Sequence, residues 1–259
     1  LTKARFGGPF PFVPAWAFST PHGEGPAGFF TPIAGTSTTE RPHIMASVPT
    51  GTIFSLATVF AAAKAVSAIS NAVEASVSCT AHGYQVGDIV QLSSGWGRLN
   101  RRAAKVKSVT PDAFVAEGIN TTNQEFYPLG SGGGTVRKII TFQQINKILN
   151  PSNSGGEAKN ITVKFLESDV EENINDGFTA ITETFDIDAD EFGQASYAAL
   201  VNLSEVQTDT VLKKTLKSGS TIYTPCRVAF NENVKLADGS IMTNTVSING
   251  NGRLTRYSA

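Results

Sequence analysis

The reactive inventory of this chain is small, three histidines and two cysteines among 259 residues, and one stretch concentrates it. His82-Gly83-Tyr84-Gln85-Val86-Gly87-Asp88 sets an imidazole six positions ahead of a carboxylate, with Ser78, Ser93 and Ser94 close in sequence. A general base, its orienting acid and a nucleophilic hydroxyl are built from such residues. None of these serines sits in a Gly-x-Ser-x-Gly elbow. The spacing suits wiring better: His82-Gly83 closes a turn, and Gly87-Asp88 opens a strand, with Asp88 accepting backbone donors.

Other candidate chemistry is equally thin. Glu167-Ser168-Asp169-Val170-Glu171-Glu172 offers oxygens to a hard cation but lacks the Asp-x-Asp-x-Asp-Gly order of a calcium loop, so it reads as a solvated loop. Cys and His do not occur at zinc-ligand spacing. The glycine run at 130–135 has no following Lys-Ser/Thr and is no phosphate loop. Lys213, Lys214 and Lys217 read as a wet face or edge protection. Trp96, between Gly95 and Gly97, could stack on a sugar ring, but more often such a residue anchors a loop to the core or to a neighbouring chain. The expectation is no enzyme: no catalytic residue, no metal site and no cofactor.

The bulk numbers agree with a protein that acts by shape. A hydrophobic fraction of 41% with 17% charged residues describes a globular chain with a rather neutral surface. A formal net charge of -1 and the lack of a basic run give no global attraction to nucleic acid. No apolar run approaches the ~20 residues that span a bilayer, so no membrane insertion is expected. Cys79 and Cys226 lie far apart and are expected to be free thiols unless the fold brings them together.

Composition divides the chain near Met45. Residues 1–44 hold seven of twelve prolines and six of sixteen phenylalanines with no period of 2 or 3.6. Proline removes donors and fixes φ, so this segment builds neither ladder nor helix. It reads as a non-native upstream extension, or as a disordered arm that docks on a neighbour. Residues 45–259 then form the working domain, with a small β subdomain at about 64–135.

Within that domain strands dominate. Residues 64–69 and 74–80 alternate about a Ser70-Asn71 break as a hairpin would, although the Ala-rich run at 60–66 also suits a helix by propensity. Residues 87–92, 102–109 and 113–119 are three more short strands, and 130–135 is a flexible break marking a subdomain boundary. Farther on, 160–166 sets Ile161, Val163 and Phe165 on one side, and 180–188 sets Ile181, Phe185 and Ile187 opposite Thr182, Thr184 and Asp186. Residues 211–216 and 221–230 flank a Lys-Ser-Gly-Ser turn. Period-2 alternation of this kind predicts antiparallel strands with one buried face. Two helices are expected. A short one covers 141–150, with Phe142, Ile145, Ile148 and Leu149 on one face and Pro151 beyond its end. The principal one follows Asp188 and Asp190, with Phe192, Ala195, Ala199, Leu200, Leu203 and Val206 at helical spacing. The fold class is mostly β: an antiparallel β-sandwich or barrel with one principal packing helix and a short second helix.

The order of several pieces resembles a known family. Residues 68–102 carry a His-Gly-x-x-x-Gly-Asp turn and a Ser-Gly-Trp-x-x-Leu-Asn loop. After them come FYPLGSGGGTVRKI, SGGEAKNITVKFLESDVE, YAALVNLSE and a C-terminal VSINGNGRLTRY. Together these resemble the major tail tube protein of long, non-contractile-tailed bacteriophages, in the lambda-like branch, over most of residues 45–259. Two departures stand out: the 44-residue leader, and no immunoglobulin-like decoration domain after Tyr257.

The resemblance implies a structural virion protein of the tail tube, assembled in the host cytoplasm from copies of itself. Rings, usually of six, stack into a hollow tube around a tape-measure protein, with a tail terminator and distal tail proteins at the ends and non-specific passage of DNA through the bore. Edge strands and loops would then serve assembly. The residues expected at subunit contacts are Ser47, Val48, Thr52, Phe54 and Thr58 on an N-terminal arm, Trp96 and Arg98 on a loop, and Glu167, Asp169, Glu171 and Glu172 on another. A competing reading is a baseplate or tail-fibre β-domain that binds a host surface glycan, with Trp96 and Tyr84 as stacking platforms.

Overall fold

The computed structural model describes residues 48–259. The strands are β1 (Ile53–Phe60), β2 (Lys64–Val66), β3 (Ala68–Ile69), β4 (Ser76–Ser78), β5 (Ile89–Ser94), β6 (Ala103–Thr110), β7 (Ala113–Ala116) and β8 (Gly134–Ile145). They continue with β9 (Ile148–Ser154), β10 (Ala158–Val163), β11 (Glu172–Phe178) and β12 (Thr182–Asp188). After a 3-10 turn at Ala189–Glu191 comes the helix α1 (Ala195–Val206), then β13 (Thr210–Thr215), β14 (Thr221–Lys235), β15 (Thr243–Gly250) and β16 (Thr255–Tyr257).

All but two strands join one curled antiparallel sheet in the order β3-β4-β7-β6-β5-β8-β1-β13-β14-β15-β12-β9, with β2 also on β8 and β16 on β14. The expectation of a mostly β fold with one principal helix holds. Along β12, Glu183, Phe185 and Ile187 turn inward, the alternation the sequence displays. α1 lies across β14 and β8 and buries Tyr197, Leu200 and Leu203 beneath it. Phe192 and Val206, expected on that buried face, are exposed. Leu56, Phe185, Ile187, Leu212, Val228, Val246 and Ile248 complete this core. A second core, drawn from residues 66–136, gathers Val77, Val90, Leu92, Val106, Phe114 and Ile119. Tyr223 and Tyr257 pack with Ala57, Ala103 and Ile139 in a third cluster. Tyr257 Oη also accepts from the Lys105 amide at 2.8 Å and donates to the Glu117 carbonyl at 3.1 Å.

Several expectations need correction. The short helix at 141–150 is instead the end of β8, a turn, and the start of β9. Phe142, Ile145, Ile148 and Leu149 suit a helix by spacing. The hydrogen bonds, however, go to β1, where Phe54 faces Ile145, and to β12, where Ile187 faces Ile148. Long-range pairing overrides a local period, and positive φ at Lys147 and Asn150 breaks any helical run. The presumed N-terminal arm is no arm beyond residue 52. β1 is an interior strand between β8 and β13, with Leu56 and Ala57 in the core. Ile161 and Phe165, expected to be buried, lie on a hairpin outside the main sheet and remain about half exposed.

The glycine run at 130–135 is not a flexible break either. A Cβ on Gly132 would stand 2.9 Å from the six-membered ring of Trp96, and one on Gly134 would collide with the Ser93 carbonyl. Glycine is required there because chains approach closely. β8 starts inside the run and pairs with β2 and β5 at its beginning and with β1 at its end.

Candidate assembly surface

The His82 region is wiring. His82 Nδ1 accepts from the Tyr84 amide at 2.9 Å, so the proton sits on Nε2, which donates to the Thr110 carbonyl at 2.8 Å. The ring is buried against Tyr84 and Phe114. With both nitrogens committed to backbone, the imidazole has no free lone pair for a base. Asp88 Oδ2 accepts from the Gln85 amide at 2.9 Å and pairs with Lys138 at 2.8 Å. Turn closure accounts for both residues. Among the described residues no three His, Cys, Asp or Glu side chains are grouped to hold a metal ion.

The Trp96 loop faces two ways. The indole is 2% exposed, stacks edge-on against Tyr127 with centroids 5.2 Å apart, and donates Nε1–H to the Pro128 carbonyl at 2.8 Å. Trp96 is therefore an internal anchor, and its expected place at a subunit contact is corrected: a buried ring has no surface to offer a neighbour. Tyr84 is buried as well. Neither aromatic is a platform for a sugar, which removes the residues on which the glycan reading stood. Arg98 points the other way, its guanidinium carbon 3.2 Å from the Phe126 ring centroid.

Arg98 lines a cleft of about 710 Å³ together with Arg102, Arg253, Phe178, Ile181 and Leu254. Arg102 donates Nε–H to Thr255 Oγ1 at 3.0 Å. Burial lowers the Arg102 pKa from its ordinary value, and the charge of Arg253 pushes the same way. None of the three arginines forms an ion pair with a carboxylate among the described residues. Sequence reasoning missed Arg102 and Arg253. A signal existed: Gly-x-Gly-Arg-Leu occurs twice, at 95–99 and 250–254. The two copies abut, since a Cβ on Gly252 would lie 3.3 Å from the Asn100 carbonyl oxygen.

The acidic loop joins β10 to β11 at the tip of a two-stranded hairpin separate from the main sheet. Glu167, Asp169, Glu171 and Glu172 are all exposed, as are Phe165, Leu166 and Val170 beside them. Ser168 shapes the tip: its amide donates to the Phe165 carbonyl, its hydroxyl donates to the Val170 carbonyl, and it accepts from the Val170 amide. Both faces of this hairpin meet solvent, an arrangement that is marginal in water without a partner.

The remaining expected contact residues spread around another groove. Ser47 lies outside the described residues, as does the segment 1–44. Val48 is exposed. Thr52 and Phe54 line a groove of about 600 Å³ with Ile148, Pro151 and Phe185. Phe54 is partly committed to the core, 5.6 Å from the Phe185 ring. Thr58 opens onto a smaller cleft beside α1. The structure thus brings Thr52 and Phe54 together and separates them from the Arg98 cleft. β9 forms one rim of the sheet, and Asn150-Pro151 interrupts its pairing with β12 between Leu149 and Ser152.

Comparison with known proteins adds the following. The sequence profile of the family described as phage tail tube protein, TTP, matches residues 94–259. No curated protein matches the chain. Among solved structures, the tail of an empty gene transfer agent particle, refined helically with C6 symmetry, is 13% identical with a TM-score of 0.36. That match covers 45% of this chain and 87% of the other. The virion of a native gene transfer agent particle gives the same identity and TM-score, covering 45% of this chain and 89% of the other.

Proposed function

The chain belongs to the phage tail tube protein family, and from that premise we propose that its copies close into rings that stack as a hollow tail tube. Its role is structural, as a component of the virion tail. The ring has six members, as the resemblance implies, and is built in the host cytoplasm around a tape-measure protein. A tail terminator and a distal tail protein bound its two ends. DNA slides through the finished bore, and a net charge of -1 suits that task because sliding needs weak attraction to phosphates.

The observation that carries this reading is the family match over residues 94–259. The shape supports it. An exposed hairpin outside the main sheet and an open rim at β9 are joints looking for partners. A head-to-tail contact that closes by rotation gives a ring, and repetition along the axis gives a tube. The exposed apolar residues of the hairpin are what a lone subunit leaves uncovered. Electron microscopy of the purified chain at high concentration tests it: rings or hollow tubes of constant diameter are expected, and a monodisperse monomer at every concentration would count against the tube.

A further inference from the structure

We propose that the acidic hairpin tip of one copy docks into the arginine-lined cleft of the next, forming the principal head-to-tail contact. This inference rests on the tube reading and deepens it by naming the joint.

Charge complementarity makes the case. Residues 164–172 hold four carboxylates, Glu167, Asp169, Glu171 and Glu172, against one cation, Lys164. All four carboxylates are exposed, and none is in an ion pair among the described residues. The cleft holds Arg98, Arg102 and Arg253 and no lining carboxylate. Each half carries unbalanced charge of opposite sign, and each is already shaped. Ser168 fixes the tip. Stacking of Arg98 on Phe126 and the Arg102 bond to Thr255 hold two of the three guanidinium groups in place. Preorganised arginine forks recognise carboxylates in two-pronged fashion.

The apolar groups match as well. Phe165, Leu166 and Val170 surround the acids on the tip, and Phe178, Ile181 and Leu254 surround the arginines in the cleft. Docking would bury the apolar residues and strengthen the ion pairs by removing water.

A copy cannot satisfy itself. Phe178 is the last residue of β11, so the cleft lies at the base of the same hairpin whose tip carries the acids. β10 spans six residues and β11 seven, which at ~3.3 Å per residue sets tip and base roughly 20 Å apart. The two surfaces of one subunit therefore point to different neighbours. That is a heterologous contact, the kind that propagates.

The test uses the whole chain, with sedimentation velocity and electron microscopy. The tip variant carries Glu167→Lys, Asp169→Lys, Glu171→Lys and Glu172→Lys. The cleft variant carries Arg98→Glu and Arg253→Glu, with Arg98→Gln and Arg253→Gln as the neutral substitute if melting shows the reversed pair to be misfolded. Each variant alone is expected to lose at least tenfold in its assembled fraction while melting within about two degrees of the parent. A chain carrying both reversals, or a one-to-one mixture of the two variants, is expected to recover assembly because opposite charges again face each other. Variants that assemble as well as the parent overturn the docking and leave the tube reading standing. Losses that neither combination restores overturn it too. A cleft variant that assembles normally but retains a fluorescent duplex less well at low salt assigns the arginines to a polyanion and overturns it. A parent chain that forms neither rings nor dimers at any concentration sinks both readings.

Discussion

Arg101 and Asp209, 108 positions apart in sequence, meet at 2.7 Å, with Nε donating to Oδ2. Asp209 also accepts from Arg227 Nε at 2.7 Å and Asn251 Nδ2 at 2.8 Å, both on Oδ1, while its main-chain carbonyl accepts from Arg137 Nη2 at 2.8 Å. One carboxylate thus ties the end of the Trp96 loop to the start of β13, to β14 and to the Gly250–Leu254 loop. Replacing it with asparagine leaves two guanidinium groups without their counter-charge. Asp209→Asn is expected to cost about 1–3 kcal/mol, read as a melting temperature lowered by several degrees.

The same residue sets an acid limb in the stability profile. Burial alone would raise the Asp209 pKa, but the hydrogen bond from Arg227 and the charge of Arg101 outweigh it and hold the carboxyl below its usual value. A depressed folded pKa means the unfolded state takes up the proton first. The stabilisation is therefore complete above the unfolded value of about 3.9 and is lost as pH falls through the lower folded value. Thermal melts of the parent and Asp209→Asn should differ most near neutrality and converge as pH drops well below 4. A constant difference across that range would refute the assignment.

β1 is interior to the sheet, between β8 and β13, so its removal should cost the fold itself. Removing residues 48–58 takes away the partner of both β8 and β13 and strips Leu56 from the main core. A large-to-small change at one buried leucine already costs about 2–5 kcal/mol. The truncated chain is expected to be insoluble or to lack a cooperative melt by circular dichroism. A folded monomer with a normal spectrum would mean that β1 is dispensable after all.

Both thiols should be silent until the chain unfolds. Burial pushes the Cys226 thiol up to about 12 and raises that of Cys79, and the two lie in separate cores. At pH 8 a disulfide reagent is expected to titrate no thiol in the native chain and two per chain in denaturant. Rapid native reaction at either site would show that its core opens.

What the sequence makes legible follows from where the organising forces lie. β12 and the β13–β14 turn are readable because each strand has one wet and one dry face, and because Leu216, Ser220 and Gly219 close the turn locally. The helix α1 is readable because its apolar spacing has no competing strand partner. Residues 141–150 mislead because their fate depends on β1 and β12, distant in sequence. The acidic loop is visible as a surface feature. Its complement is not, because Arg98 and Arg253 come together only once the chain has folded. The anchoring of Trp96 is hidden for the same reason: the residue that makes room for its ring is Gly132, distant in sequence.

That last relationship can be tested by a cycle of substitutions. A Cβ on Gly132 would stand 2.9 Å from the Cη2 and Cζ2 atoms of Trp96 and 3.2 Å from Ile69 Cβ. Gly132→Ala therefore forces the indole to move and is expected to cost about 1–3 kcal/mol. Trp96→Phe removes the outer ring atoms that cause the clash but forfeits the hydrogen bond to the Pro128 carbonyl, at about 1–2 kcal/mol. If the glycine is there for the indole, the double variant should be less destabilised than the sum of the two single changes, by at least about 0.5 kcal/mol. Strict additivity in denaturant titrations would assign the glycine to Ile69 or to the backbone, and Trp96 would lose its place as the residue that shapes the 130–135 run.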